Sequence, residues 1–256
     1  MRKLQSRARA VLLSQEVKPV KRITNRPRYG IINLTSNVEP YIHFDQIKEN
    51  YYRNYGVPYL KILNEPTPRL LADNELLYIS GCVHSSGIPV MLEKFIWAIQ
   101  KIQYMDVWKD LDFIVRTNAS TFLNVKLLEK YLAALPKKRC YAGYIINKRF
   151  ISGTCIVFSK DVVEKLAQSN VSEFLDCYDD IALSILADRM HLRMRSIPMV
   201  HYTNNSENQF KTIITDLKKY PLIRIKNDKD RLYYDNKLWD IISQNISVNS
   251  ASKQNS

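Results

Sequence analysis

The chain predicts an α/β fold: a mostly parallel central sheet with helices on both faces, built as one domain. Two patterns point that way. Apolar runs rich in Ile, Val, Leu and Tyr alternate with stretches of helical periodicity along most of the 256 residues. Such alternation calls for crossover helices that cover both faces of the sheet. A third observation concerns where the small polar residues fall. Asp112-Phe-Ile-Val-Arg-Thr-Asn-Ala-Ser-Thr-Phe122 joins an apolar run to small polar residues, as does Phe150-Ile-Ser-Gly-Thr-Cys-Ile-Val-Phe-Ser159, and Tyr178-Asp-Asp-Ile-Ala-Leu183 puts two carboxylates at a helix start. Strand ends and helix starts that meet at one sheet edge are where α/β proteins bind ligands.

The elements follow in order. Residues 29–36 form a buried first strand, and a Tyr-rich helix over 41–55 stops at Gly56. Val57–Leu63 is a second strand, with Pro58 tolerated near its start, and 75–81 is a weaker strand. Leu92, Phe95, Ile96, Ile99 and Ile102 keep the i, i+3, i+4, i+7 spacing of the clearest helix. A strand ends at Arg116, a helix covers 125–135, and Arg139–Ile146 and Phe150–Phe158 are strands. Ser159 is the expected cap of a helix over 160–168, with Asp161 at its positive end. Asp179 or Asp180 begins another helix whose inward stripe is Ala182, Ile185 and Leu186. Met194–Tyr202 is expected as one strand, followed by a helix at 210–219, a strand at 222–226 and a last helix at 236–244. The domain is placed at 29–246, between a basic leader (1–28) and a disordered tail (247–256).

Composition narrows the function. Hydrophobic residues make up 46%, with 16 Tyr and only 6 Gly, which excludes disordered and collagen-like classes. No apolar run reaches the roughly 18 residues that span a bilayer, so a soluble protein of the cytoplasm or cell interior is expected. The net charge of +13 is concentrated in the first 28 residues, which hold nine Lys or Arg against one Glu. Nucleic-acid binding is not expected beyond this leader, because no helix-turn-helix, RNP or zinc-finger pattern occurs. Cys82, Cys140, Cys155 and Cys177 are too widely spaced for a CxxC metal site and are expected as free thiols.

Three constellations carry chemistry. In Arg116-Thr-Asn-Ala-Ser-Thr-Phe-Leu-Asn124 a strand ends in neutral oxygen-bearing side chains beside a guanidinium. In Phe150-Ile-Ser-Gly-Thr-Cys155, Gly153 permits close backbone approach, and Ser152 and Thr154 offer hydroxyls. Asp179-Asp180 is either a helix cap or a pair of working carboxylates.

Their order and spacing resemble nucleotide-sugar glycosyltransferases of the GT-A fold. The first segment is similar to the Lys-Thr-Asp-Asp-Asp-Val-Phe-Val-Asn pattern of the β-1,3-galactosyltransferase and fringe group. Thr117, Phe122 and Asn124 agree, while Asn118, Ala119 and Ser120 stand where the three aspartates would be. It resembles still more the Arg-Thr-Asn-x-Ser-Ser-Phe version carried by bacterial and large-DNA-virus glycosyltransferase-like proteins. Phe150-Ile-Ser-Gly-Thr-Cys155 is similar to the Ser-Gly-Gly-Gly loop of the same group, and Tyr178-Asp-Asp to its acidic pair.

The resemblance implies sugar transfer from a nucleotide-sugar donor to a hydroxyl of a glycan or glycoconjugate acceptor, with inversion. Asp180 is then the base, and Asp179 orients it or binds acceptor hydroxyls. Donor contacts fall to Thr35, Ser36, Arg116, Asn118, Ser120, Arg224 and Lys226. Sugar or acceptor contacts fall to Ser152, Gly153, Thr154 and His84. A Mn²⁺ or Mg²⁺ ion would be held weakly by Asn118, Ser120 and His201, or cationic side chains would replace it. The alternative is a catalytically inactive GT-A-fold module that binds a glycan or nucleotide.

Overall fold

The computed structural model describes residues 26–36, 38–64, 75–78, 90–174 and 176–251. Every residue of β1 (Tyr29–Leu34) is buried, as a central parallel strand flanked by helices must be. It pairs in parallel with β2 (Tyr59–Asn64) and β4 (Phe113–Asn118), and β2 pairs in parallel with β3 (Glu75–Tyr78). β4 then pairs antiparallel with β7 (Phe150–Ser159), β7 antiparallel with β6 (Tyr141–Ile146), and β6 in parallel with β8 (Met194–Ser196). The resulting order is β3-β2-β1-β4-β7-β6-β8. Most neighbours are parallel, as the sequence predicts.

Helices cover both faces. On one lie α1 (Tyr41–Asn54), α4 (Val125–Ala134), α7 (Asn208–Asp216) and α8 (Arg231–Ala251), whose inward residues include Phe44, Tyr52, Leu128, Ile213 and Trp239. On the other lie α2 (Val90–Ile102), α3 (Asp106–Lys109), α5 (Lys160–Leu166) and α6 (Asp179–Arg189). All five residues of the α2 stripe are buried. Gly56 follows α1 with φ of +64°, a left-handed conformation that ends the helix at little cost for glycine. No helix of the described residues is long and apolar enough to cross a membrane. Cys140, Cys155 and Cys177 are free thiols, and burial pushes the first two up to about 12.

Several expectations need correction. Met194–Tyr202 is two strands: after β8 the chain changes sheet at Pro198, which has no N–H to continue a ladder. β9 (Met199–Tyr202) joins a second, three-stranded sheet, parallel to β10 (Leu222–Ile225), which pairs antiparallel with β5 (Thr121–Leu123). Ser159 precedes α5 without capping it, because its hydroxyl donates to Asp161 Oδ1 at 2.6 Å and accepts from Cys140 N–H at 2.9 Å. In α6 the inward stripe is Ala182, Leu183, Leu186 and Ala187, while Ile185 is exposed. The last helix begins at Arg231 and reaches Ala251, into the stretch expected as a disordered tail.

The chain runs from β1 out to β2 and β3, then returns on the other side of β1 as β4. The strand order therefore reverses between β1 and β4, which opens a crevice at their carboxyl ends. Beneath that crevice Lys48 of α1 is fully buried. Its ammonium lies 2.9 Å from Asp45 and donates to Asn33 Oδ1 at 3.1 Å and to the carbonyls of Asn118 and Ala119 at 3.4 and 3.0 Å. Asn33 in turn donates to Asp45 at 2.7 Å. One charge thus fixes α1, β1 and the turn after β4. Lys48→Met strands Asp45 as a buried unpaired carboxylate, and urea unfolding should register a loss of about 3–5 kcal/mol.

Candidate active site

Four segments reach the crevice. The first is the end of β4. Alternation along the strand turns Phe113 and Val115 to one core and Ile114 to the other. Arg116 shares the face of Ile114, and its side chain is 1% exposed. Its guanidinium donates to the Gly153 carbonyl and to the Asp179 carboxylate. Its Nε is buried without a partner among the described residues. Asn118 follows, with Oδ1 accepting from the hydroxyls of Thr121 at 2.8 Å and Ser120 at 3.3 Å.

The second segment is a bulge in β7. Gly143 of β6 faces Ile156, but Ile145 already faces Ile151, so β7 carries extra residues between them. A bulge re-aims what it contains. Here it directs the backbone of Gly153 at the charged groups: its carbonyl meets Arg116 and Asn118, and its N–H donates to Asp180 Oδ2 at 3.2 Å. A Cβ at Gly153 would stand 2.8 Å from Arg116 Nη1 and 3.4 Å from Asp179 Oδ2, which explains a glycine here. Ser152 and Thr154 are buried. Their hydroxyls lie 3.1 Å apart, and that of Thr154 is 3.3 Å from Met199 Sδ.

The third segment is the first turn of α6. Tyr178 occupies the cap position and makes no side-chain cap bond. Asp179 is committed to Arg116. Asp180 accepts the N–H of Gly153 and, through Oδ1, that of Ile181 at 3.0 Å. An ionised carboxylate has about four acceptor sites, so Asp180 retains capacity for a further proton donor.

The fourth segment is the second sheet. Arg224 of β10 stands opposite Thr121 of β5 on one side and His201 of β9 on the other. Burial lowers its pKa; the Asp180 carboxylate opposes that shift and the Arg231 guanidinium adds to it. His201 is held below the ordinary imidazole value by desolvation and then by Arg224, so it is neutral at pH 7, with its ring 5.3 Å from Tyr144. Lys226 is exposed.

The structure therefore brings together Arg116, Asn118, Ser120, Gly153, Asp179, Asp180, Arg224 and His201. Thr35 and Ser36 lie at the neighbouring end of β1, both buried. Asn33 is bonded to Lys48 and Asp45. His84 lies outside the described residues.

Two lysines went unforeseen. Lys48 stands at the inward spacing Phe44, Lys48, Tyr52, where a cation between aromatics three residues after an Asp was the available signal. Lys94 donates to the Thr35 carbonyl at 3.2 Å, beside a Thr35 hydroxyl that has no partner among the described residues. Burial pulls its amine from 10.5 to about 8.

The donor set proposed for a divalent ion does not fit one. Hard cations take carboxylates and free carbonyl oxygens. Here Asn118 Oδ1 already accepts two hydroxyl protons, Asp179 is ion-paired, and His201 sits beside a guanidinium. Among the described residues no three His, Cys, Asp or Glu side chains group as metal ligands.

Two outcomes follow for stability. Asp179→Ala leaves Arg116 buried without a counter-charge, so urea unfolding should show a loss of about 3–5 kcal/mol. Asp180→Asn keeps an acceptor for Gly153 N–H and should cost less than about 1.5 kcal/mol. Lys94 is read through pH. Between about 8 and 10.5 only the unfolded chain holds its proton, so stability rises with pH across that window. From pH 8 to 10 the native chain should gain about 2–3 kcal/mol relative to Lys94→Met.

No protein-family model and no curated protein matches the chain. Among solved structures it is similar to a glycosyltransferase involved in the glycosylation of the major capsid of PBCV-1. The two are 12% identical with a TM-score of 0.49, over 83% of this chain and 98% of that one.

Proposed function

We propose that the chain is a glycosyltransferase that moves a sugar from a nucleotide-sugar donor to a hydroxyl of a glycan or glycoconjugate, with inversion. The observation that carries this reading is Asp180. Its carboxylate is held by the Gly153 N–H at the crevice edge, beside the Arg116–Asp179 pair and within the field of Arg224. The motifs that supply these groups also stand in the order of the family they resemble.

In the reaction the acceptor oxygen attacks the anomeric carbon while Asp180 takes its proton. The bond from that carbon to the diphosphate oxygen breaks, and the nucleoside diphosphate leaves with the electron pair. Asp179, anchored by Arg116, holds the first turn of α6 so that Asp180 keeps its aim. The N–H groups of Gly153 and Ile181 each fix one oxygen of the base, and the acceptor hydroxyl takes one of the carboxylate's remaining lone pairs.

A second reading, a module that binds glycan or nucleotide without turnover, has one observation in its favour: Asn118, Ala119 and Ser120 are neutral where the resembling family has aspartates. The two readings separate in one experiment. Native protein is incubated with UDP-, GDP- and dTDP-sugars and a hydroxyl acceptor panel, and released nucleoside diphosphate is counted. Under the transferase reading one donor turns over, and Asp180→Asn lowers kcat at least about a hundredfold, within the range for loss of a general base, with donor affinity unchanged. Normal turnover in that variant removes Asp180 from the mechanism.

A further inference from the structure

Resting on the transferase reading, we propose that Arg224 binds the donor's diphosphate directly and that a nucleoside diphosphate is held without a metal ion. A departing diphosphate needs positive charge at the oxygen that leaves. The turn after β4 does not offer ligands for a divalent cation, since its one side-chain carbonyl, Asn118 Oδ1, is spent on Ser120 and Thr121.

Of the guanidinium groups near that turn, two are anchored. Arg116 is tied to Asp179 and Gly153. Arg231 donates to Asp235 Oδ2 at 3.0 Å and to the Tyr41 hydroxyl at 3.0 Å. Arg224 differs from both: it has no ion pair and no hydrogen bond among the described residues, and its Nε is buried without an acceptor. Leaving a half-buried guanidinium with unused donors is costly unless a ligand supplies the acceptors.

Its placement matches the ligand. β10 is bonded to the turn itself, through Ile225 N–H to the Ser120 carbonyl at 2.8 Å, and Arg224 stands opposite Thr121, whose hydroxyl meets Asn118. Asp180 and Arg231 both lie within its electrostatic reach. An anion lodged between Arg224 and the turn would therefore have the base nearby, and Arg231 would add positive charge. Arginine suits the task because its planar fork pairs two phosphate oxygens at once.

The test is titration calorimetry of the full chain with UDP, GDP, dTDP and inorganic pyrophosphate, each in EDTA and again in Mn²⁺. The expected result is binding of at least one nucleoside diphosphate in EDTA, with an affinity that Mn²⁺ changes less than about threefold. Arg224→Gln should weaken it at least about tenfold, as loss of a charge-assisted pair does, and Arg224→Lys should recover part of the loss. An affinity that rises tenfold with Mn²⁺ overturns the proposal, as does Arg224→Gln binding like native protein in EDTA. So does a native chain that binds none of the four ligands. Far-ultraviolet circular dichroism of both variants identifies a misfolded one, in which case Arg224→Lys alone decides. If Arg224-dependent binding is found but no sugar is transferred, the transferase reading fails and this site stands.

Discussion

Positive charge buried on both faces of one strand end is the constraint on which the rest of the molecule depends. A cation removed from water is stable only if it is paired and its protons are accepted. Lys48 lies on one side of the end of β4 and Arg116 on the other, each at most 1% exposed. Lys48 satisfies the rule with Asp45, Asn33 and two carbonyls of the turn, and it also lies 5.8 Å from the Trp239 ring. Arg116 satisfies it in part, with Asp179 and the Gly153 carbonyl on its two terminal nitrogens, while its Nε has no acceptor among the described residues. Between them they tie α1, β1, the turn, the β7 bulge and α6 into a single frame.

That frame is stiffened by aromatic side chains that also act as acceptors. The turn leads into β5 and α4, and the last N–H of β5 and the first of α4 both point at tyrosines of α1. The hydroxyls of Tyr52 and Tyr51 accept from Leu123 N–H at 3.1 Å and Val125 N–H at 3.2 Å, and Asn124 caps α4 through Leu127 N–H at 3.2 Å. Phe122 packs 5.0 Å from Tyr51 and 5.9 Å from Trp239, which itself stacks on Phe44 at 4.9 Å. A three-residue strand is thereby rigid enough to serve as the base on which β10 presents Arg224. Groups that act on a ligand need such support, since small displacements from productive geometry are expensive in rate.

Much of this was legible in the sequence, and the limits have physical causes. The α2 stripe, the β1 and β4 runs and the acidic start of α6 could be read because period and length decide them locally. The break at Pro198 was harder: a proline inside an apolar run fits either an edge strand or a change of sheet, and only the partner strands choose. β5 is too short to show alternation. Ser159 had the composition of a cap, but its oxygen accepts the N–H of Cys140 from the neighbouring strand start instead. Arg116, Gly153 and the two aspartates could be named as site residues. The coupling of Arg116 to Asp179 could not, because it depends on a bulge that no period predicts. Lys48 and Lys94 were missed because lysine in an amphipathic helix is ordinarily solvated, and burial is decided by what packs above it.

The neutral turn and the surplus arginine are best understood together. Ala119 is 8% exposed, and Lys48 already draws on the two carbonyls around it. A carboxylate at that position would be buried, and burial would penalise its charged form. In this chain the residues at 118–120 are small and uncharged. Under the proposed reading the charge for an anionic ligand comes from Arg224 of β10, which has no ion pair or hydrogen bond among the described residues. These two places, far apart in the chain, are joined in space by the bond between Ile225 and Ser120.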